Sequence, residues 1–123
     1  PSNENISEVV EKCKNKNWLG IILACVSPEI IEKTIDEVKQ LDIPFGYKAN
    51  LWKAEEPVPV HKFASPSDEV GANPVEVMGT RDDYTDVRFL EFSKKMVGKG
   101  VTILGGCCET KPSHIKKIST LKN

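Results

Sequence analysis

Two adjacent cysteines, Cys107 and Cys108, follow Gly105-Gly106 and precede a helix-like run, and a third, Cys25, closes an apolar run far earlier in the chain. Thiolates are nucleophiles and soft metal ligands. Adjacent cysteines make poor disulfide partners, because the small ring they would close strains the bridge. In a chain without a secretory signal, four cysteines point to thiol or metal chemistry more than to a disulfide framework. Cys13 continues the spacing Ile6, Val9, Val10, at i, i+3, i+4 and i+7, and is expected to be a small buried hydrophobe on a helix. The other three suit Zn²⁺, with the fourth tetrahedral position open to water or substrate, and the paired CxxC knuckles of a structural zinc site are absent. From spacing alone, a metal site and a pair of buried structural thiols stand level.

The elements that must position these thiols alternate along the chain. Residues from about 4 to 16 predict an amphipathic helix and residues from about 18 to 25 a buried strand. Ser27 is placed to cap the next helix, with Pro28 at its first position and Ile30, Ile31, Thr34, Ile35, Val38 and Leu41 on its buried face. Asp42 and Pro44 end it, and residues 45–51 read as a second strand. Residues 52–81 have no sustained period and are punctuated by proline and glycine, so they predict one long irregular loop. His61 within it reads as solvated. Asp82 or Asp83 is placed to cap a third helix with Val87, Leu90, Met96 and Val97 as core contacts, flanked by Phe89 and Phe92, until Gly98 and Gly100 stop it. Val101–Leu104 predicts the last strand, ended by the glycine pair. Thr110 would cap a final helix striped by Ile115, Ile118 and Leu121, with His114 on its surface.

This order is the grammar of βα units on a parallel sheet, whose strands end on one side, where ligands bind in open sheets and eightfold barrels. Cys25, Asn50 and the Cys107-Cys108 pair all fall at strand ends, so the three thiols are expected to converge. The 123 residues allow one domain with a modest core. A net charge of -1 argues against a nucleic-acid surface. No apolar run reaches the roughly 20 residues that span a bilayer, and the first residues lack the regions of a signal peptide. The expectation is a soluble, cytoplasmic chain. It lacks an initiator Met, which suggests that an N-terminal part is absent.

Gly105-Gly-Cys-Cys-Glu-Thr-Lys-Pro-Ser-His-Ile115 resembles the C-terminal signature of the homocysteine S-methyltransferase family. Ala24-Cys25-Val-Ser-Pro-Glu29 resembles that family's earlier cysteine motif, although the family commonly has Asn where Ala24 stands. Tyr47-Lys-Ala-Asn50 resembles its Tyr-Pro-Asn motif. Order and spacing agree over nearly the whole chain. The resemblance implies that residues 1–123 are the C-terminal portion of a (β/α)₈ TIM barrel, about three βα units and a leading helix, with the N-terminal strands missing. It implies Cys25, Cys107 and Cys108 as ligands of Zn²⁺, homocysteine sulfur as the fourth ligand, and a small methyl donor whose transfer gives methionine. Asn50 is then expected to line the substrate site, and the 52–81 loop to be a lid over the donor. Glu109 would orient a ligand or face the dipole of the last helix. A three-strand piece exposes its sheet edges, so it is expected to be inactive alone, and marginal unless it self-associates or pairs with a complementing chain. A non-catalytic zinc or thiol-redox module, and a phosphate-binding barrel fragment using Gly105-Gly106, are the alternative readings.

Overall fold

Ser27 and Pro28 start the helix against which the sheet is assembled. The computed structural model describes residues 4–13, 16–53 and 78–122, and of Cys13 only the backbone. The Ser27 hydroxyl accepts the Ile30 N–H at 3.4 Å and Pro28 lies in the first turn, as capping chemistry predicts. The chain runs α1 (Ile6–Cys13), β1 (Ile21–Ala24), α2 (Pro28–Val38), a 3₁₀ turn (Lys39–Leu41), β2 (Phe45–Ala49), α3 (Asp86–Gly98), β3 (Ile103–Gly106), α4 (Pro112–Ile118) and a closing 3₁₀ turn (Ser119–Leu121). The expected burial of Cys13, the solvation of His61 and most of the 52–81 loop lie outside the described residues. No helix among the described residues is long and apolar enough to cross a membrane.

The three strands form one parallel sheet in the order β1-β2-β3, the mixed α/β arrangement expected from the alternating pattern. Register sets Leu23, Tyr47 and Leu104 side by side, and Ala24, Lys48 and Gly105 side by side one residue later. Because side chains alternate along a strand, these two rows face opposite ways. The first row meets the helices: Tyr47 is fully buried, with the Phe89 and Phe92 rings of α3 at 6.5 and 5.0 Å. The second row faces away from them, where Lys48 and Ala24 are exposed and Ile22 is 48% exposed. Gly46 shares that face, and a Cβ there would lie 1.9 Å from the Ile103 carbonyl oxygen, so glycine lets β2 and β3 approach. Helix α2 buries Ile31, Ile35 and Val38 completely, each burial contributing about 1.5–3 kcal/mol of transfer free energy. Ion pairs Lys95–Glu32 and Lys99–Asp36 show α3 running parallel to α2 with matched four-residue spacing.

Several boundaries differ from expectation. Trp18 and Leu19 precede β1 instead of belonging to it, and Leu19 is 95% exposed. Asn50 and Leu51 lie beyond β2. Gly105 and Gly106 do not end β3 but are part of it, paired with Lys48 and Ala49. Thr85 caps α3, accepting the Arg88 N–H at 3.3 Å, while the carboxylate of the expected cap, Asp83, is taken by Arg81 and Arg88. The buried stripe of α3 is Phe89, Phe92, Ser93 and Met96, whereas Val87 and Val97 are 50% and 41% exposed. Aromatic bulk packs against Tyr47 and Tyr84, and the polar Ser93 in the middle of the stripe conceals its period.

Ser93 is buried because it is fully used: it accepts the Tyr47 hydroxyl at 2.7 Å and donates to the Phe89 carbonyl at 2.7 Å. Burial pushes the Tyr47 phenol up to about 12, against a smaller opposing effect of its Ser93 bond. The unfolded chain releases this proton near pH 10, so it binds fewer protons than the folded chain above that pH. Stability from this group is therefore complete below about pH 10 and lost as pH rises to about 12. Tyr47→Phe is expected to cost about 1 kcal/mol near neutrality and to flatten the alkaline loss. Urea unfolding at pH 8 and pH 11 checks this, and an equal deficit at both values would refute it.

Candidate metal centre

The β1–β2 ladder continues one residue beyond β1, with the Cys25 N–H donating to the Lys48 carbonyl at 2.7 Å. There the chain turns sharply, and Cys25 takes a left-handed conformation with φ 59°. For a residue with a Cβ this conformation costs about 1–2 kcal/mol, so surrounding bonds must hold it. Asn50, 6% exposed at the end of β2, does so from both chain directions. Its Nδ2 donates to the Cys25 carbonyl at 2.8 Å, its backbone N–H donates to Val26 at 3.0 Å, and its Oδ1 accepts the Trp52 N–H at 3.3 Å.

The second thiol loop is held as closely. Cys107 N–H donates to the Ala49 carbonyl at 2.7 Å, and the Cys108 carbonyl accepts the Leu51 N–H at 3.0 Å. The Thr110 hydroxyl and N–H both donate to the Cys107 carbonyl, at 2.6 and 3.2 Å. A Cβ on Gly106 would sit 2.3 Å from the Thr110 hydroxyl oxygen, so this tight return needs glycine. Glu109 follows at φ 62°, and its carboxylate accepts the Thr80 hydroxyl at 2.6 Å. Thr80 in turn pairs with Trp52, and Lys53 N–H donates to Met78 and Gly79. The two described ends of the 52–81 segment are thereby closed together and fastened to the cysteine loop.

These turns bring the three thiols together as expected. Cys25 Sγ lies 3.8 Å from Cys108 Sγ, and Cys107 Sγ lies 3.9 Å from Cys108 Sγ. All three sulfurs fall within 4.8 Å of one another, half-buried, and none is in a disulfide. In a tetrahedron with Zn–S bonds of about 2.3 Å, neighbouring sulfurs are about 3.8 Å apart. The donor set and its spacing therefore fit Zn²⁺.

The three thiols do not share one electrostatic environment. Burial and the neighbouring Cys107 push the Cys25 thiol up. Burial, then Cys25 and Cys107, push Cys108 up to about 12. At Cys107, burial acts upward but is outweighed by bonds from Cys25 and Cys108 and by the Lys48 charge, so its thiol is pulled down. One thiolate is thus favoured and two resisted, because adjacent negative sulfurs repel unless a positive charge stands between them.

Other parts of the neighbourhood were not foreseen. His114 is 5% exposed and not on the surface. Its Nδ1 accepts the Lys111 N–H at 2.8 Å, so Nε2 carries the proton and donates to the Tyr84 carbonyl at 3.1 Å. Lys111, not Thr110, is the N-cap of α4, since Thr110 is committed to Cys107. Arg81 has an 8% exposed side chain that reaches Glu29 at 2.7 and 2.8 Å and Asp83 at 3.0 Å, and lies 4.7 Å from the Tyr84 ring centre. It fastens the described end of the 52–81 segment to the start of α2. Glu29 is remote from Arg81 in sequence, as Tyr84 is from His114, and neither pair shares a period, so only folding brings them together. Beside Glu109, a cleft of about 280 Å³ opens between Thr80, Tyr84, Lys111, Ser113 and His114.

A parallel α/β sheet that gathers three thiols beyond its strand ends, at a spacing that could hold a metal ion, marks the chain as an α/β protein with a candidate cysteine metal site. The sequence profile of the homocysteine S-methyltransferase family matches residues 1–121, and the chain belongs to that family. It is 25% identical over 126 residues to homocysteine S-methyltransferase 1 of Brassica oleracea var. italica, covering 97% of this chain and 32% of that protein. The chain thus spans about a third of the length of the curated relative it matches.

Proposed function

We propose that Cys25, Cys107 and Cys108 bind Zn²⁺ and serve methyl transfer from a small donor to the sulfur of homocysteine, giving methionine. One observation carries the reading: three thiols from two strand ends, two of their separations 3.8 and 3.9 Å, matching the sulfur spacing of tetrahedral zinc. Held by Cys25, Cys107 and Cys108, Zn²⁺ would supply Lewis-acid stabilisation of a substrate thiolate near neutral pH. The chain's own residues do the positioning. Asn50 lines the site by holding the left-handed Cys25 turn in place, and Thr110 fixes the Cys107 carbonyl. In the transfer itself, the homocysteine sulfur forms a bond to the methyl carbon as the donor's bond to that carbon breaks, and the donor leaves with the electron pair. The thiol proton is lost to solvent.

The helix-free face of the sheet, with Ile22 and Lys48 exposed, is the face that strands of a completed (β/α)₈ barrel would enclose. We therefore assign residues 1–123 to the C-terminal part of such a barrel, cytoplasmic and acting once its remaining strands or a complementing chain are present. The 52–81 segment is assigned as a lid, its base latched to the cysteine loop through Thr80 and Glu109. Gly105 and Gly106 are strand residues paired with Lys48 and Ala49, which speaks against that pair as a phosphate-binding loop.

Metal analysis of the purified chain is expected to give one zinc per chain. Completing the barrel is expected to yield zinc-dependent formation of methionine from homocysteine and S-methylmethionine, betaine or a methyl-folate. A chain that leaves zinc-containing buffer without metal would sink the reading.

A further inference from the structure

The three sulfurs come from two loops, and the end of β2 ties both. Leu51 N–H donates to the Cys108 carbonyl at 3.0 Å, and Asn50 Nδ2 donates to the Cys25 carbonyl at 2.8 Å. Arg81 makes a second path between the same loops. Its backbone N–H donates to the Leu51 carbonyl at 2.9 Å, which fixes its main chain to the residue that grips Cys108. Its Nη1 donates to both carboxylate oxygens of Glu29, at 2.8 and 2.7 Å, in the first turn of the helix that follows Cys25. Asp83 takes the other edge of the guanidinium, accepting from Nε at 3.2 Å and Nη2 at 3.0 Å, and the Tyr84 ring centre lies 4.7 Å away. All three nitrogens are thus committed on a side chain that is only 8% exposed. A planar fork held this way has one geometry, and a charge so far out of water is costly to leave unpaired.

We propose that Arg81 is a positioning residue of the metal centre: its bond to Glu29 sets the distance between the Cys25 turn and the Cys107-Cys108 loop. This inference rests on the zinc reading above. Asn50 fixes the turn at Cys25 itself, but the helix that carries the chain onward from that turn is a separate lever. Arg81 holds the start of that helix against the strand end that grips Cys108, so the metal does not have to gather the sulfurs on its own. Supports of this kind orient the ligands and raise metal affinity without touching the metal.

Zinc affinity by chelator competition and the visible bands of the Co²⁺-loaded chain test this without turnover, both read where circular dichroism shows each variant folded. Arg81→Met is expected to weaken zinc about tenfold, the lower end of what losing an outer support of a metal site costs, and to change the cobalt bands. Glu29→Gln removes the other charge of the pair and is expected to shift both readings the same way. Because the two act through one bond, the double variant should lose no more than Arg81→Met alone. Arg88→Met, which removes the other arginine on Asp83 and the Tyr84 ring, is expected to leave zinc affinity unchanged. Unchanged affinity and cobalt bands in Arg81→Met and Glu29→Gln would overturn the proposal, as would losses that add in the double variant or an equal loss in Arg88→Met. Should Arg81→Met fail to fold, Glu29→Gln decides, since it leaves the Arg81 backbone bond in place. A parent chain that binds neither metal overturns the zinc reading itself, and the Arg81 assignment with it.

Discussion

Cys107→Ala is expected to strip the chain of stoichiometric zinc while leaving it folded. Structural zinc in thiol-rich sites contributes about 10–16 kcal/mol near neutral pH, so one ligand carries about 3 kcal/mol, or more than a hundredfold in affinity. Among the described residues no fourth metal-ligating group joins the cluster, and the acid that follows the cysteines, Glu109, is engaged by Thr80. The fold should persist, since Cys107 anchors the loop through its backbone: its N–H to Ala49 and its carbonyl to Thr110. An alanine keeps both bonds. The side chain is only half-buried, so the loss of packing is small. Competition with a zinc chelator, alongside circular dichroism, separates the two effects. Cys25→Ala should weaken zinc comparably, because its sulfur comes from the other strand and closes the same triangle. Zinc retained with unchanged affinity in either variant would show that the cluster is not the site.

The largest effect on stability is expected at Phe89. The ring is fully buried among Tyr47, Tyr84, Phe92 and His114, with centroid distances of 6.5, 6.4, 6.1 and 5.4 Å. Phe89→Ala removes that contact set and leaves a cavity that tightly packed neighbours cannot fill, at a cost of about 3–5 kcal/mol. Domains of this size have about 5–15 kcal/mol in total, so the variant should melt far below the parent chain. Val87→Ala, on the same helix but 50% exposed, should stay within about 0.5 kcal/mol. The pair decides which face of α3 is the core. Chemical denaturation of both variants gives the answer, and a larger loss at Val87 would reverse the assignment.

That contrast shows where sequence pattern stops being informative. On α2 the buried stripe is purely aliphatic, and Ile31, Ile35 and Val38 can be read from periodicity alone. On α3 Met96 faces inward as its spacing predicts, but the valines do not, and Phe89 and Phe92 take the buried face instead. Aromatic rings bury more area than valines, and these two pack edge-on against the Tyr47 ring. The polar member of the stripe, Ser93, finds its partners in Tyr47 and a backbone carbonyl, which no local pattern reveals. His114 looked like a surface residue for the same reason: its partner, Tyr84, is brought to it only by the packing of α4 near the start of α3.

The chain's alternation of apolar runs with Ser27-Pro28, glycine and proline signals determined by itself that these are βα units, and the glycine-cysteine motif determined which chemistry to look for. Those are local properties, set by side-chain period, capping and backbone freedom. Tertiary structure decided the rest: that Cys25 turns left-handed under the grip of Asn50, that its sulfur comes to 3.8 Å from Cys108, that Thr80 is tied to Glu109 beside the cysteines, and that Arg81 is tied to Glu29 of α2. Such contacts join residues that have no common period, so their energies arise only once parallel strands bring their ends to one edge.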